Sequence, residues 1–132
     1  MMLVCRGVRG ATTVEADTRT EILAATKELL TAMIEANGIE EKDVTSVFFT
    51  TTSDVVSEYP ALAARQLGWK DTALLCSHEM AVPRGLAKCI RILVHWNTMK
   101  SIKEIKHVYL NEAESLRPDR ALDQLQKDLG ES

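Results

Sequence analysis

Lys88-Cys89-Ile90-Arg91-Ile92-Leu93-Val94-His95-Trp96 is the stretch that decides the fold. It has no Gly or Pro, is rich in β-branched side chains and alternates with a period of two, which predicts a long strand over 88–96. Ile90, Ile92, Val94 and Trp96 share one face of that strand, and Arg91, Leu93 and His95 take the other. A strand this apolar needs cover on both faces. Arg91 breaks the pattern, because a guanidinium set among apolar neighbours needs an anionic or hydrogen-bonding partner.

Outward from this strand the chain reads as alternating short elements. Met2 to Val8 is a first strand, followed by Arg9 with Gly7 and Gly10 near it. Thr18-Arg19-Thr20-Glu21 is a capping-box pattern that opens a helix. Ile22, Ala25, Leu29, Met33 and Ala36 recur at helical spacing, Leu30 and Ile34 widen the stripe, and Gly38 stands where a left-handed C-cap is wanted. Val44 to Thr52 is a second strand, with Val47, Phe48 and Phe49 at its centre. Pro60 suits the first turn of a second helix that runs to about Leu67 and stops at Gly68. Thr72 to Cys76 is a short strand and Lys106 to Leu110 a final one. About five strands with two good helices make an α+β fold. Two helices cover one face of such a sheet and leave the other open, which points to an oligomer. From about Asn111 the chain is polar and reads as a mobile tail, with a thin helical pattern of Leu122, Leu125 and Leu129 beyond Pro118 and Asp119.

Composition narrows the function classes. With 132 residues, 45% of them hydrophobic and 27% charged, residues 1–132 read as one globular domain. A net charge of −3 gives no reason to expect nucleic acid or an anionic membrane as partner. Three cysteines in no zinc-like spacing read as reduced thiols in a cytoplasmic protein. No stretch has the length of a transmembrane helix, and the apolar run at the start is too short for a signal peptide.

The chemistry-bearing residues fall in short blocks. They are Arg6-Gly7-Val8-Arg9-Gly10-Ala11-Thr12-Thr13-Val14, Cys76-Ser77-His78-Glu79-Met80, Lys88-Cys89-Ile90-Arg91, Lys106-His107-Val108-Tyr109-Leu110 and Leu116-Arg117-Pro118. They offer guanidiniums, one carboxylate, one thiol and one phenol, but no metal cluster and no nucleophile with an evident base. That set suits a small polyanion held in shape rather than attacked. Arg91 leads, as a cation on a rigid strand whose donor fork matches a carboxylate. Arg9 competes with Arg6 for a second anionic contact. Glu79, just past a strand, is either a solvated loop carboxylate or an acceptor for a substrate hydroxyl. Cys76 lacks an activating histidine and is nearly as well read as a structural thiol; Cys5 and Cys89 read as core. Tyr109 divides evenly between core and site. Arg65 and Arg117 read locally as solvated charges, and His78, His95 and His107 as incidental.

In order along the chain, these blocks, together with Tyr59-Pro60-Ala61 and Arg65, Gly68-Trp69, Gly85-Leu86 and Leu116-Arg117-Pro118-Asp119, resemble the monofunctional chorismate mutases of the Bacillus type. The resemblance spans almost the whole chain. It implies a mixed five-stranded sheet with helices on one face, and a homotrimer that forms a pseudo-α/β-barrel with active sites at the chain interfaces. It also implies rearrangement of chorismate to prephenate, in phenylalanine and tyrosine biosynthesis, with no cofactor and no metal. By position, Arg91, Glu79 and Cys76 match the family's catalytic set. Arg9, Tyr109, Tyr59, Ala61, Arg65, Leu74, Leu75, Leu116 and Arg117 match its substrate-binding residues. Tyr59 replaces a familiar phenylalanine, Leu62 a lysine and Leu75 a threonine, and the chain is one residue shorter between Arg65 and Gly68. A trimeric small-molecule-binding or imine-deaminating module of similar barrel-like assembly is the alternative; it accounts for the fold and an interface arginine, but not for Glu79 and Cys76 beside two separate arginines.

Overall fold

The computed structural model describes residues 2–117. The strand expected at 88–96 is the centre of the molecule, observed as β4, Cys89–Thr98. Its antiparallel neighbour on one side is β1, Val4–Thr13, and on the other β2, Val44–Thr51. Parallel edge strands complete the mixed sheet: β3, Ala73–His78, beside β2, and the two-residue β5, Val108–Tyr109, beside β1. The order is β3-β2-β4-β1-β5.

Alternation places the core as expected. Ile90, Ile92, Val94 and Trp96 are buried, with Val8 of β1 and Val47 and Phe49 of β2 on the same face. Helix α1, Arg19–Asn37, lays Leu29, Leu30 and Met33 on this face, and α2, Ala61–Gln66, adds Ala64. Thr18 caps α1 by accepting the Glu21 N–H at 3.2 Å, and Gly38, at φ 75°, closes it with an N–H to the Ile34 carbonyl at 2.8 Å. Gly10 is the point of closest helix–sheet approach, since a Cβ there would run into the Met33 sulfur.

Three expectations need correction. β1 runs five residues past Val8, because Gly10, Ala11, Thr12 and Thr13 pair with β4 down to Thr13–Cys89; small residues on both faces hid the alternation. Cys5 is exposed, because it falls on the face of β1 away from the helices. The segment from Asn111 does not leave the fold at once: Asn111–Leu116 forms a 3-10 helix with Ala113 fully buried. Thr12 and Thr13 hold it, accepting from Asn111 Nδ2 at 3.1 Å and the Glu112 N–H at 3.3 Å. The pattern at Leu122, Leu125 and Leu129 lies outside the described residues. Among the described residues, no helix is long and apolar enough to cross a membrane.

Candidate active site

The face of the sheet away from the helices carries the chemistry. Pairing registers put Ser77, Thr50, Arg91, Ala11 and Tyr109 in one row across all five strands. The next row is Leu75, Phe48, Leu93 and Arg9. Arg91 thus stands on the central strand, on the open face, diagonal to Arg9.

The partner that Arg91 required is Glu79. β3 runs two residues further than its apolar run predicts, to His78, and the Glu79 N–H continues the pairing to the Thr51 carbonyl at 2.8 Å. Its carboxylate therefore arrives beside β4 and accepts from Arg91 Nε at 2.9 Å and Thr50 Oγ1 at 2.9 Å. The Glu79 side chain is 19% exposed and that of Arg91 46%, so the anion is tucked in and the cation presented. This bond through Nε orients the guanidinium.

Arg9, Phe48, Thr50, Arg91, Tyr109 and Leu116 surround a cleft of about 520 Å³, within the usual range of small-molecule sites. Tyr109 is set opposite Ala11 by the β1–β5 pairing, and the Leu110 N–H reaches the Ala11 carbonyl at 2.9 Å. Leu116 reaches the cleft because the 3-10 helix docks on β1. Arg117 ends that helix, its N–H on the Glu114 carbonyl at 3.2 Å, and is not among the residues lining the cleft.

The remaining expected residues lie elsewhere. Tyr59 and Cys76 line a separate cavity of about 410 Å³ at the β3 edge, with Ser77 and His78. Cys76 is half-buried on the helix side; burial pushes its thiol pKa up, against the effect of the Ala61 N–H on its sulfur. Tyr59 is 72% exposed, on a loop that the Asp17 carboxylate holds through the Val56 and Ser57 N–H groups, both at 3.0 Å. Ala61 and Leu74 pack against the core, whereas Leu75 is exposed beside Phe48 on the open face. Arg65 is not a free surface charge: its Nη1 donates to the Trp69 and Lys70 carbonyls at 2.7 and 2.8 Å, closing α2.

Thr50 and Phe48 escaped the sequence reading. Both follow from alternation in β2, as the face opposite Val47, Phe49 and Thr51. The cleft thus carries two guanidiniums and a phenol, and Glu79, paired to Arg91 from outside that lining, leaves it with a net positive set of side chains. Among the described residues, no group of three or more His, Cys, Asp and Glu is placed to hold a metal ion.

Comparison with known proteins gives the family and agrees with the fold. The profile of the family chorismate mutase type I matches residues 5–120. The chorismate mutase AroH of Thermus thermophilus is 50% identical over 115 residues, covering 86% of this chain and 94% of its own. That of Bacillus subtilis is 44% identical over 121 residues, 91% and 95% of the two chains. A solved chorismate mutase from Clostridium thermocellum superposes with a TM-score of 0.81 at 52% identity, over 83% of this chain and 97% of its own. With the core of the sheet, the Arg91–Glu79 pair and the matched blocks in one frame, the chain belongs to the type I chorismate mutases.

Proposed function

We propose that the rearrangement of chorismate to prephenate, the activity that goes with this family, takes place in the open-face cleft and is driven by Arg91. The reaction is an intramolecular pericyclic shift. It needs no nucleophile and no obligatory proton transfer, so a site of fixed charges without an activated nucleophile is what it calls for. Chorismate carries two carboxylates and a hydroxyl and must fold into a chair-like shape. Its ether C–O bond breaks ahead of C–C bond formation, so negative charge builds on the ether oxygen while the ring becomes electron-poor.

Arg91 faces the ether oxygen and a carboxylate. Arg9 and Tyr109 hold the side-chain carboxylate. Glu79 accepts from the ring hydroxyl and favours positive charge on the ring. Leu116 supplies an apolar wall. The rate then comes from holding one conformer and from charge matched to the transition state rather than the substrate. The observation that carries this reading is Arg91, oriented by Glu79 at 2.9 Å, on the same open face as Arg9 and Tyr109.

The active form is a homotrimer with a barrel-like centre. Phe48 and Leu75 are 38% and 58% exposed side by side on the open face, apolar surface that a neighbouring chain would cover. Tyr59 and Cys76 stand outside the cleft of their own chain, and a closed ring of three brings them to a neighbour's cleft. There Cys76 shares the ring hydroxyl with Glu79, and Tyr59, Ala61, Arg65, Leu74 and Leu75 form the far wall, with Arg117 closing over bound substrate. Three free cysteines fit a cytoplasmic setting in aromatic amino-acid biosynthesis. Loss of chorismate absorbance with matching formation of prephenate tests the assignment; binding of chorismate without turnover refutes it.

A further inference from the structure

The segment that presents Tyr109 is scarcely a strand, because β5 pairs with β1 through two residues, Val108 with Gly10 and Tyr109 with Ala11. Since the Ala11 carbonyl accepts from Leu110, the N–H of Arg9, two residues back, also faces β5. In a continued parallel ladder that N–H would go to the Lys106 carbonyl. It does not; both backbone groups of Lys106 bond instead to Asn37, the last residue of α1. Asn37 Nδ2 donates to the Lys106 carbonyl at 2.8 Å and Asn37 Oδ1 accepts its N–H at 2.8 Å. Asn37 is 3% exposed and also donates to the Met33 carbonyl at 3.0 Å. The Arg9 N–H instead reaches Nδ1 of the His107 ring at 2.9 Å. Two side chains replace the missing rungs where α1, β1 and β5 meet.

We propose that His107 is a positioning residue for the reaction: by accepting the Arg9 N–H through Nδ1, while Asn37 holds Lys106, it locks the register in which Arg9 and Tyr109 meet one substrate carboxylate. This rests on the roles given to Arg9 and Tyr109 above. The bond requires a neutral ring with its proton on Nε2. Burial and the Arg9 guanidinium both lower the His107 pKa, which keeps the ring in that form. Arg9 of β1 is the charge that acts on the ring; the α1 side chain at the joint, Asn37, is uncharged, and Lys106 adjoins it in the chain. A protonated ring sets a donor against a donor, and segment 106–109 loses its register. Contacts to a carboxylate exist in ground and transition state alike, so the loss falls on KM more than on kcat.

The test uses the full chain and chorismate turnover, with His107→Leu and His107→Asn. Leucine removes the acceptor; the asparagine Oδ1 falls near the place of Nδ1 and accepts at any pH. His107→Leu is expected to raise KM about fivefold, the usual worth of one backbone hydrogen bond, with kcat within about twofold. His107→Asn is expected to stay near wild type at about pH 8, where the wild-type ring is neutral, and to lose the acid-side fall of kcat/KM due to His107, a parameter that reads the free enzyme. Wild-type KM in His107→Leu, or equal impairment of both variants, overturns the proposal. So does a lower Tm with unchanged KM, since the ring would then serve stability alone. Arg9→Ala and Tyr109→Phe are run alongside. If they are impaired and His107→Leu is not, only the role of His107 falls; if neither is impaired, the reading of the cleft falls with it.

Discussion

Replacing Arg91 with Ala should abolish most of the rate while leaving the fold intact. The side chain is 46% exposed on the open face, so its removal creates no core cavity. At about 3 Å and an effective dielectric of about 20, half a unit of developing charge gains ~3 kcal/mol from a guanidinium, roughly 10² in rate. Covering the face with a second chain excludes water and raises this, and an arginine facing developing charge in phosphoryl transfer is worth about 10³–10⁵. We expect kcat to fall by about 10³–10⁴, between these limits. KM should rise too, because Glu79, 19% exposed, keeps only the Thr50 hydroxyl of its two partners and repels an anionic substrate. Adding Glu79→Gln to Arg91→Ala removes that repulsion and should recover KM but not kcat. Arg91→Lys should recover only part of kcat, because an ammonium cannot bridge the ether oxygen and a carboxylate as a fork does. Steady-state kinetics on chorismate, with circular dichroism and sedimentation as controls, read these outcomes. A folded Arg91→Ala enzyme with near-normal kcat and a raised KM would make Arg91 an anchor and refute the electrostatic account.

Three further outcomes are expected. Gly10→Ala should cost about 1–3 kcal/mol in urea denaturation, because its Cβ meets Met33, whereas Gly7→Ala, whose Cβ lies 3.5 Å from Leu93 Cδ1, should be nearly neutral. Hydrogen bonds from the Thr52 hydroxyl and then the Lys88 N–H hold the Asp54 carboxyl below its ordinary pKa against burial, so the unfolded chain binds the extra proton. That stability is complete above about pH 4 and lost on acidification below it, and the fall should be shallower in Asp54→Asn when urea midpoints are followed against pH. Ending the chain at Ser115 removes Leu116 from the cleft, and Arg117 with it, and should raise KM more than it lowers kcat in the same turnover assay.

Period-two alternation made the sheet legible where side chains are large, as at Ile90, Ile92, Val94 and Trp96. It failed in β1, where Gly10, pressed by α1, and Ala11, on the open face, are both too small to show an alternation. Thr18 and Gly38 marked α1 correctly because capping is a local matter. Arg91 announced itself as a cation in an apolar strand, but Glu79 could not be named as its partner from local sequence. That pairing depends on the parallel register of β3 on β2, a long-range fact. The same holds for His107 and Asn37, whose partners lie 98 and 69 residues away in sequence. The ordered blocks gave the family, because several weak motifs in fixed order are jointly specific.

The central claim is that Arg91 on one chain and the Tyr59–Cys76 wall of a neighbour form one site. Mixing chains measures it most directly. Arg91→Ala chains, expected to lose most of their rate, and Cys76→Asp chains, expected to repel the anionic substrate, are first assayed alone, then unfolded together, refolded and assayed on chorismate. Random assortment around a closed ring of three should leave about a quarter of the interfaces with both halves intact, and restore activity in that proportion. Activity that stays at the level of the separate variants, with mixed trimers demonstrated by mass, would place the whole site on one chain and contradict the account.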